Sequence, residues 1–207
     1  MPKLLEVCVD NLESALAAFA GGADRIELCS SLSEGGLTPT PGFLTQVQQA
    51  NTKKVPVYCM LRCRSSNFVY TQEEIEIMVE DANMLKKRGA DGRPTIEIEV
   101  IIDLGFKRVL TSGKQKTAQL GVKLITQLME QVDDRIIIIP GGGVNKENLK
   151  FIMETTEAQE YHGSFRKVKT ETKPEEQTEV TLGDNDGPLY LADELLITEA
   201  VHILRNE

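Results

Sequence analysis

Two short stretches of the sequence repeat the same order of reactive residue types. Glu6-Val7-Cys8 and Glu27-Leu28-Cys29 each place a carboxylate two residues before a thiol. Side chains alternate between the two faces of a strand, so each glutamate shares a face with its cysteine. If the stretches form neighbouring parallel strands, about 4.8 Å apart, Cys8 and Cys29 lie side by side. Two soft thiolates at that separation suit linear Cu(I), whereas structural zinc requires four ligands.

A second interpretation of the two cysteines stays open. Free cysteines are usually small buried hydrophobes. A thiolate forms only where the surroundings favour negative charge, and the neighbouring glutamates oppose this. Asp10 shares the face of Glu6 and Cys8 and adds a third acid to it. The pattern therefore predicts either a metal site or a pair of packing residues.

Arginines that follow the third predicted strand extend the polar face. In YCMLRCR (58–64), Arg62 and Arg64 share one face. If that face is the interior of the fold, the two arginines neutralise Glu6 and Glu27, because buried charges need partners. The result is either a structural ion-pair network or a pocket for a small anion. The polar interior candidates are Glu6, Asp10, Glu27, Arg62, Arg64 and His162.

Glycine-rich turns after two later strands suggest a second kind of site. RIIIIPGGGV (135–144) places three glycines directly after a buried apolar strand. Backbone N–H groups at such turns bind phosphate in many barrels, helped by the N-terminus of the next helix. Tight turn geometry explains the glycines equally well. The candidate anion-binding residues are Thr111, Ser112, Gly113, Gly141, Gly142 and Gly143.

His162 has no defined catalytic role in the sequence. The chain contains two histidines, and no Ser-His-Asp order can be built from them. His162 lies in a predicted strand, where only Glu160 shares its face and can orient the ring. The catalytic residues of any enzyme activity therefore stay unassigned.

The elements that must position these residues alternate between strand and helix. Continuous apolar strands interleaved with helices indicate a parallel sheet covered by helices. Polar and glycine-rich residues follow the strands, which favours a TIM-type (β/α)8 barrel over an open sheet. The predicted strands are 4–10, 24–30, 55–62, 106–112, 135–140 and 160–165, and the predicted helices are 11–22, 43–50, 71–89, 117–131, 145–158 and 194–206.

The alternation breaks after residue 89. Arg93-Pro94 stands where a fourth strand should begin, and proline has no N–H for a central ladder. In the following stretch, 95–104, propensity favours a strand, whereas the Leu-Gly-Phe that comes next favours the end of a helix. Roughly 40 residues of a typical barrel of about 250 are absent. The predicted α/β fold is therefore an incomplete barrel of about six to seven strands.

Composition excludes several classes of protein. The 207 residues suffice for one domain, 1–207, and the net charge of −9 argues against nucleic acid as a partner. No apolar run reaches membrane-spanning length, and the strand-like N-terminus is unlike a signal peptide. Four cysteines without a disulfide spacing indicate reduced thiols in a cytoplasmic protein. The stretch 166–188 has few apolar residues and is predicted to be a flexible loop.

Several motifs resemble one protein family. LEVCVDNLESALAAFAGGADRIELCSSLSEGGLTPTPG (5–42) is similar to the N-terminal signature of the CutC copper homeostasis family. GFKRVLTSG (105–113), RIIIIPGGGV with the following Asn148, and EYH (160–162) resemble its later motifs. The resemblance implies a cytosolic (β/α)8 barrel that assembles into a homo-oligomer and binds copper.

The chain departs from the family pattern in three places. The family's fourth strand, its helix and its fifth strand, with a His-Arg-Ala-Phe-Asp motif, are skipped. The chain rejoins the family near Pro94, and the resemblance then makes 95–104 a helix. Arg62-Cys63-Arg64-Ser65-Ser66-Asn67 replaces Arg-Pro-Arg-Gly-Gly-Asp and lacks an expected carboxylate. His162 is kept, but a glycine follows it.

These observations support three hypotheses of function. The first is a protein of intracellular copper homeostasis that holds Cu(I) through Cys8 and Cys29. The second is a barrel enzyme, a lyase or isomerase of a small phosphorylated metabolite, with the anion at Gly141–Gly143 and Arg62 near the reaction. The third is a truncated, non-functional isoform, because the loss of two strands exposes apolar edges. The predicted partners are copper, a small anion and further copies of the chain.

Overall fold

The computed structural model describes residues 3–91, 107–132, 135–169 and 188–206. Its main fold consists of six strands that pair in parallel and six α-helices. The strands are β1 (Leu4–Val9), β2 (Arg25–Leu28), β3 (Val57–Cys59), β4 (Arg108–Thr111), β5 (Ile137–Pro140) and β6 (Glu160–Gly163). The helices are α1 (Leu12–Gly21), α2 (Pro41–Ala50), α3 (Gln72–Lys87), α4 (Ala118–Val132), α5 (Lys146–Thr156) and α6 (Glu194–Asn206).

The strands follow the order of a β/α barrel. β3, β2, β1 and β6 are hydrogen-bonded in that order, and β4 and β5 form a second parallel pair. The end of β5 lies against β6. Gly141 directly follows β5, and a Cβ atom added to it would lie 3.3 Å from the Cβ of His162 in β6. The sixth strand thus returns to the first, as closure of a barrel requires. This arrangement agrees with the predicted fold class.

A single residue, Asp91, forms an isolated parallel bridge beside β3. Asp91 pairs in parallel with Tyr58, and its N–H donates to the carbonyl oxygen of Val57 at 2.8 Å. Its carboxylate accepts from the N–H of Val57 at 3.0 Å. The stretch 95–104, for which propensity and resemblance disagree, lies outside the described residues. The sheet can therefore be followed up to the point where the sequence pattern breaks.

Local signals determine where the helices begin and end. The side chain of Asn11 caps α1 by accepting from the N–H of Ser14 at 2.8 Å, and Gly22, with φ +87°, ends the helix. α2 begins at Pro41, two residues before the predicted start, because Thr40 caps it and proline is favoured in the first turn. Among the described residues, no helix has the length and apolar content needed to cross a membrane.

The apolar core lies between the strands and the helices. Leu5, Val7 and Val9 are fully buried at every second position of β1. They belong to one apolar cluster with helix residues such as Ala18 and Ile197. The intervening residues of β1 point to the opposite face. β1 therefore separates an apolar helix-facing side from a barrel-facing side that carries Glu6 and Cys8.

An antiparallel strand pair follows the parallel strands in the chain. β7 (Arg166–Val168) pairs with β8 (Tyr190–Ala192), so the predicted loop 166–188 begins with a strand. The N–H of Ala192 donates to the hydroxyl of Ser14 at 3.0 Å and attaches β8 to α1. The prediction that the strand at 160–165 is the last one is wrong. Residues 170–187 of the predicted loop lie outside the described residues.

Candidate metal centre in the barrel interior

Charged side chains of β1, β2 and β6 meet in the barrel interior. The strand register places Glu6 beside Arg25 and His162, and Cys8 beside Glu27. All except Glu27 are more than nine-tenths buried, and Glu27 is partly buried. Charged groups at such depth must be paired, because burial of an isolated charge is costly.

Arg25 joins two glutamates in this interior. Its Nε donates to the carboxylate of Glu6, and its Nη2 donates to Oε2 of Glu160 at 2.7 Å. The Nε of Arg108 donates to both carboxylate oxygens of Glu160 at 2.9 Å. The guanidinium of Arg25 also lies 4.8 Å from the centre of the Tyr58 ring. Cations and carboxylates alternate, which is the condition for keeping charges in a low-dielectric interior.

The predicted pairing of Arg62 and Arg64 with Glu6 and Glu27 is wrong. β3 ends at Cys59, so the alternation of strand faces does not continue to residues 62 and 64. The side chains beyond that point follow loop geometry, which a period of two residues does not describe.

Both arginines instead bind the loops that follow the strands. Nη1 of buried Arg62 donates to the carbonyl oxygens of Glu34 at 2.6 Å and Gly36 at 3.1 Å. The side chain of Arg64 is 38% exposed and forms an ion pair with Glu74 of α3. Arg62 therefore holds a loop in place, and Arg64 lies outside the interior network.

The sequence contained a signal for the arginine and glutamate that do form the network. Arg25 lies two residues before Glu27 and so shares its face. Glu160 shares a face with His162 in the same way, although the sequence suggested it only as an orienting partner of the histidine. The two-residue alternation of strand faces that places Glu27 and His162 in the interior therefore places Arg25 and Glu160 there as well.

His162 connects the ion-pair network to a thiol. Its Nδ1 lies 2.8 Å from Oε1 of Glu6, and its Nε2 lies 3.8 Å from Oε2 of Glu27. One ligand atom each from Cys8, Glu27 and His162 lies within 4.8 Å of the others. Because Glu6 engages Nδ1, the other ring nitrogen remains directed towards Glu27.

The buried charges shift the pKa values of this group. Burial opposes ionisation of Glu6, yet the hydrogen bond with His162 and the charges of His162 and Arg25 lower its pKa to about 2. Burial raises the pKa of Glu27. Burial opposes the charged form of His162, yet its interactions with Cys8 and its hydrogen bond with Glu6 raise its pKa well above the ordinary value. The interior thus favours a cationic imidazole beside an ionised Glu6.

Cys29 lies on the other side of Glu27. Its thiol donates to Oε2 of Glu27 at 3.5 Å. Burial and the charge of Glu27 raise the pKa of this thiol well above its ordinary value. The spacing of the sequence predicted Cys29 as the neighbour of Cys8 on the adjacent strand. The observed register of β1 and β2 instead places Glu27 directly opposite Cys8. The assignment of Cys8 and Cys29 as metal ligands stays a prediction.

Asp10 attaches a loop to the end of β1. Its Oδ2 accepts from the N–H of Leu32 at 3.0 Å, and its Oδ1 accepts from the side-chain amide of Asn11 at 3.0 Å. The bond from Leu32 holds the segment that follows β2 over the barrel end, whereas the bond from Asn11 lies within the turn after β1. Asp10 therefore contributes to the shape of the site's rim.

The residues after β4, predicted to bind an anion, are largely engaged within the protein. The N–H of Gly141 donates to the carbonyl oxygen of Thr111 at 3.0 Å, and the N–H of Gly113 donates to the Thr111 hydroxyl at 3.1 Å. The hydroxyl of Ser112 donates to the carbonyl oxygen of Gln115 at 2.8 Å. These donors therefore stabilise the turns themselves.

The turn after β5 borders a cavity of about 300 Å³. Gly142 and Gly143 adopt left-handed backbone conformations there, with φ of +95° and +68°. The cavity is lined by Gly143, Ser164 and Arg166, but also by the carboxylate-bearing Glu147. Lys146 and Arg166 bring two positive charges to this lining and Glu147 brings one negative charge, and anion binding stays a prediction.

The fold and the site define a β/α-barrel protein with a thiol, an imidazole and carboxylates in its interior. The model of the CutC family matches residues 3–93 and 92–167. The copper homeostasis protein cutC homolog of Homo sapiens is 38% identical, with 87% of this chain and 80% of that protein covered. The homolog of Caenorhabditis elegans is 36% identical, with 88% and 87% covered. The chain belongs to the CutC family.

Solved structures agree with this assignment. A CutC protein from Streptococcus agalactiae matches with a TM-score of 0.72 and 26% identity, covering 78% of this chain and 98% of that chain. Phosphoribosylanthranilate isomerase from Thermotoga maritima matches with a TM-score of 0.55 and 16% identity, covering 99% and 100%, which shows the fold alone. The TIM-type fold is confirmed. The family match divides at residues 92–93, beside Pro94, where the sequence pattern breaks.

We expect the interior network to make the protein sensitive to acid through Glu6. The pKa of Glu6 falls from 4.5 to about 2 on folding, so its charge stabilises the fold above pH 4.5 and this contribution is lost as the pH falls towards 2. The difference corresponds to on the order of 3 kcal/mol. The raised pKa of Glu27 acts in the opposite direction, because its protonation on acidification stabilises the folded state.

Urea unfolding at neutral pH and at about pH 3 measures this contribution. Other carboxylates also titrate, so the Glu6→Gln variant serves as the reference, and its free energy of unfolding should depend less on pH than that of the parent protein. Equal pH dependence in the two proteins would contradict the assignment.

Proposed function

We propose that this protein acts in copper homeostasis by binding Cu(I) in the barrel interior through Cys8 and Cys29. One observation supports this above the others: the ligand atoms of Cys8, Glu27 and His162 lie within 4.8 Å of one another. The thiol of Cys29 lies 3.5 Å from the same Glu27 carboxylate. Relatives at 33–38% identity that are named copper homeostasis proteins support the same role.

The chemistry of the donor atoms fits Cu(I). Thiolate sulfur and imidazole nitrogen are the soft and intermediate donors that this ion prefers, and the carboxylate of Glu27 is the hardest group present. Binding at Cys29 displaces the thiol proton, as metal binding to cysteine generally does. The bond from Glu6 to Nδ1 of His162 leaves Nε2 for the metal once copper displaces the proton of the cationic ring, and this is the usual arrangement around a metal-bound histidine.

A cytoplasmic location is part of this proposal. All four cysteines are free thiols, which persist in a reducing compartment. The same conditions keep copper as Cu(I). Assembly into a homo-oligomer, which the family resemblance implies, stays a prediction.

Anaerobic Cu(I) titration against a competing chelator tests the site. We expect the protein to bind Cu(I), and the Cys8→Ser/Cys29→Ser double variant to bind it at least about 100-fold more weakly, since a metal site loses affinity steeply with its ligands. Cys63→Ser is the matched control, because Cys63 is a half-buried cysteine in the loop after β3. The same stoichiometry and affinity in the parent and the double variant would exclude the thiol site.

A further inference from the structure

A methionine lies beside Cys29 at the end of the strands. The parallel register pairs Leu28 with Cys59, and the N–H of Met60 donates to the carbonyl oxygen of Leu28 at 2.9 Å. The register thus continues by one residue and places Met60 opposite Cys29. Such partners are about 4.8 Å apart and point to the same face of the sheet. That face is the barrel interior, because Cys29 lies there with Glu27.

Gly36 lies next to both of these sulfur-containing side chains. A Cβ at residue 36 would lie 3.2 Å from Sγ of Cys29 and 3.2 Å from Cε of Met60. The two side chains therefore border one small space, and the absence of a side chain at Gly36 keeps it open. The loop is held there by Arg62, which donates to the carbonyl oxygen of Gly36 at 3.1 Å.

The pair lies further out than the group around His162. Cys29 and Met60 follow Glu27 and Tyr58 by two residues, which is one step along the same strand faces towards the carboxyl ends. Cys8 lies opposite Glu27, one step deeper. Two sets of soft donor atoms are thus arranged in sequence from the barrel end to the interior.

We propose that Met60 and Cys29 form an outer Cu(I) site from which copper passes inward to the site of Cys8 and Cys29, with Cys29 as the shared ligand. The inference rests on the proposed function and adds a ligand to it. Thioether and thiolate sulfur both select Cu(I). In the transfer, copper keeps its bond to the sulfur of Cys29. Its bond to the sulfur of Met60 breaks as a bond to the sulfur of Cys8 forms, and the thiol proton of Cys8 is released to solvent. Copper remains Cu(I) throughout, so no oxidant or reductant is needed.

A packing role for Met60 makes different predictions from a ligand role. Methionine fills irregular spaces, and leucine replaces it at little cost in stability. Leucine cannot bind copper. The Met60→Leu variant therefore separates the two roles, with Met153→Leu as the matched control, because Met153 is buried in α5 away from the barrel interior.

The test is NMR of the protein labelled with ¹³C at the methionine ε-methyl groups, during anaerobic addition of Cu(I). We expect the Met60 resonance, assigned from its absence in Met60→Leu, to shift, and the Met153 resonance to stay in place. Chelator competition should show Met60→Leu binding Cu(I) about 10-fold more weakly, since loss of even an outer partner of a metal ligand typically has that effect. Met153→Leu should bind as the parent does.

The outcomes distinguish this inference from the function on which it rests. A Met60 resonance that stays in place while the protein binds Cu(I) overturns the outer site and leaves the inner one. A protein that binds no Cu(I) overturns both. The labelled parent protein supplies this result even if Met60→Leu does not fold.

Discussion

Replacement of Arg25 by methionine is expected to lower the free energy of unfolding by about 3–5 kcal/mol, as loss of one partner from a buried ion pair does. Arg25 bonds both Glu6 and Glu160 in the interior. Glu160 keeps Arg108 in the variant, but Glu6 keeps only His162. A buried carboxylate thereby loses one of its two cationic partners, and bulk solvent compensates little for a group that is only 6% exposed.

Urea unfolding followed by circular dichroism measures the effect. Arg64→Met is the matched control, because its ion pair with Glu74 is partly exposed and screened by solvent, so its loss should lower the free energy of unfolding much less. Adding Glu6→Gln to Arg25→Met should restore part of the loss, since an amide needs no cation. An Arg25 variant no less stable than the Arg64 variant would refute the role of the network. A broad, non-cooperative transition in the parent protein would instead favour the hypothesis of a truncated isoform.

Replacement of Gly121 by alanine is expected to destabilise the protein by about 3 kcal/mol, at the upper end for overpacking a close contact. Gly121 lies in α4, where a Cβ would be 1.9 Å from the carbonyl oxygen of Ser112 and 2.9 Å from Cα of Gly113. Both atoms belong to the backbone of the turn after β4. They cannot rotate away as a side chain would, so the helix or the turn must move.

Gly42→Ala is the matched control for this substitution. Gly42 also lies in a helix, α2, but a Cβ there would meet no atom within 4 Å. Alanine should therefore stabilise the protein by up to about 1 kcal/mol through helix propensity and a less flexible unfolded chain. Thermal or urea unfolding of both variants should give changes of opposite sign. A stabilising Gly121→Ala would contradict the close contact.

The Gly121 contact also explains the turn after β4, for which the sequence offered an anion site. Gly113 adopts φ +65° and lies against Gly121 of α4. Its N–H donates within the turn, to the hydroxyl of Thr111. Close approach of a turn to a helix thus accounts for these glycines without a ligand. In the turn after β5, close contacts of Gly141 with Leu110 and the positive φ of Gly142 and Gly143 account for the glycines in the same way, and anion binding there stays a prediction.

Most of the fold could be predicted because its signals are local. The sequence predicted a helix at 71–89, and the structure has α3 at Gln72–Lys87 with Thr71 as its cap. Caps and periodicity act between residues a few positions apart, so they are visible in one stretch of sequence. The same reasoning failed beyond Cys59, where a strand pattern was extended into a loop.

The sequence showed which of Glu6, Cys8, Glu27 and Cys29 share a strand face, because alternation along a strand is a property of the backbone, although it did not single out Arg25 on the face of Glu27. The residues that these side chains contact on neighbouring strands could not be predicted from the sequence. The strand register put Glu27 rather than Cys29 opposite Cys8, and it brought His162 to Glu6 across 156 positions of the chain. Register depends on how each helix crosses over and packs against the sheet, and such contacts between distant residues form only in the folded barrel.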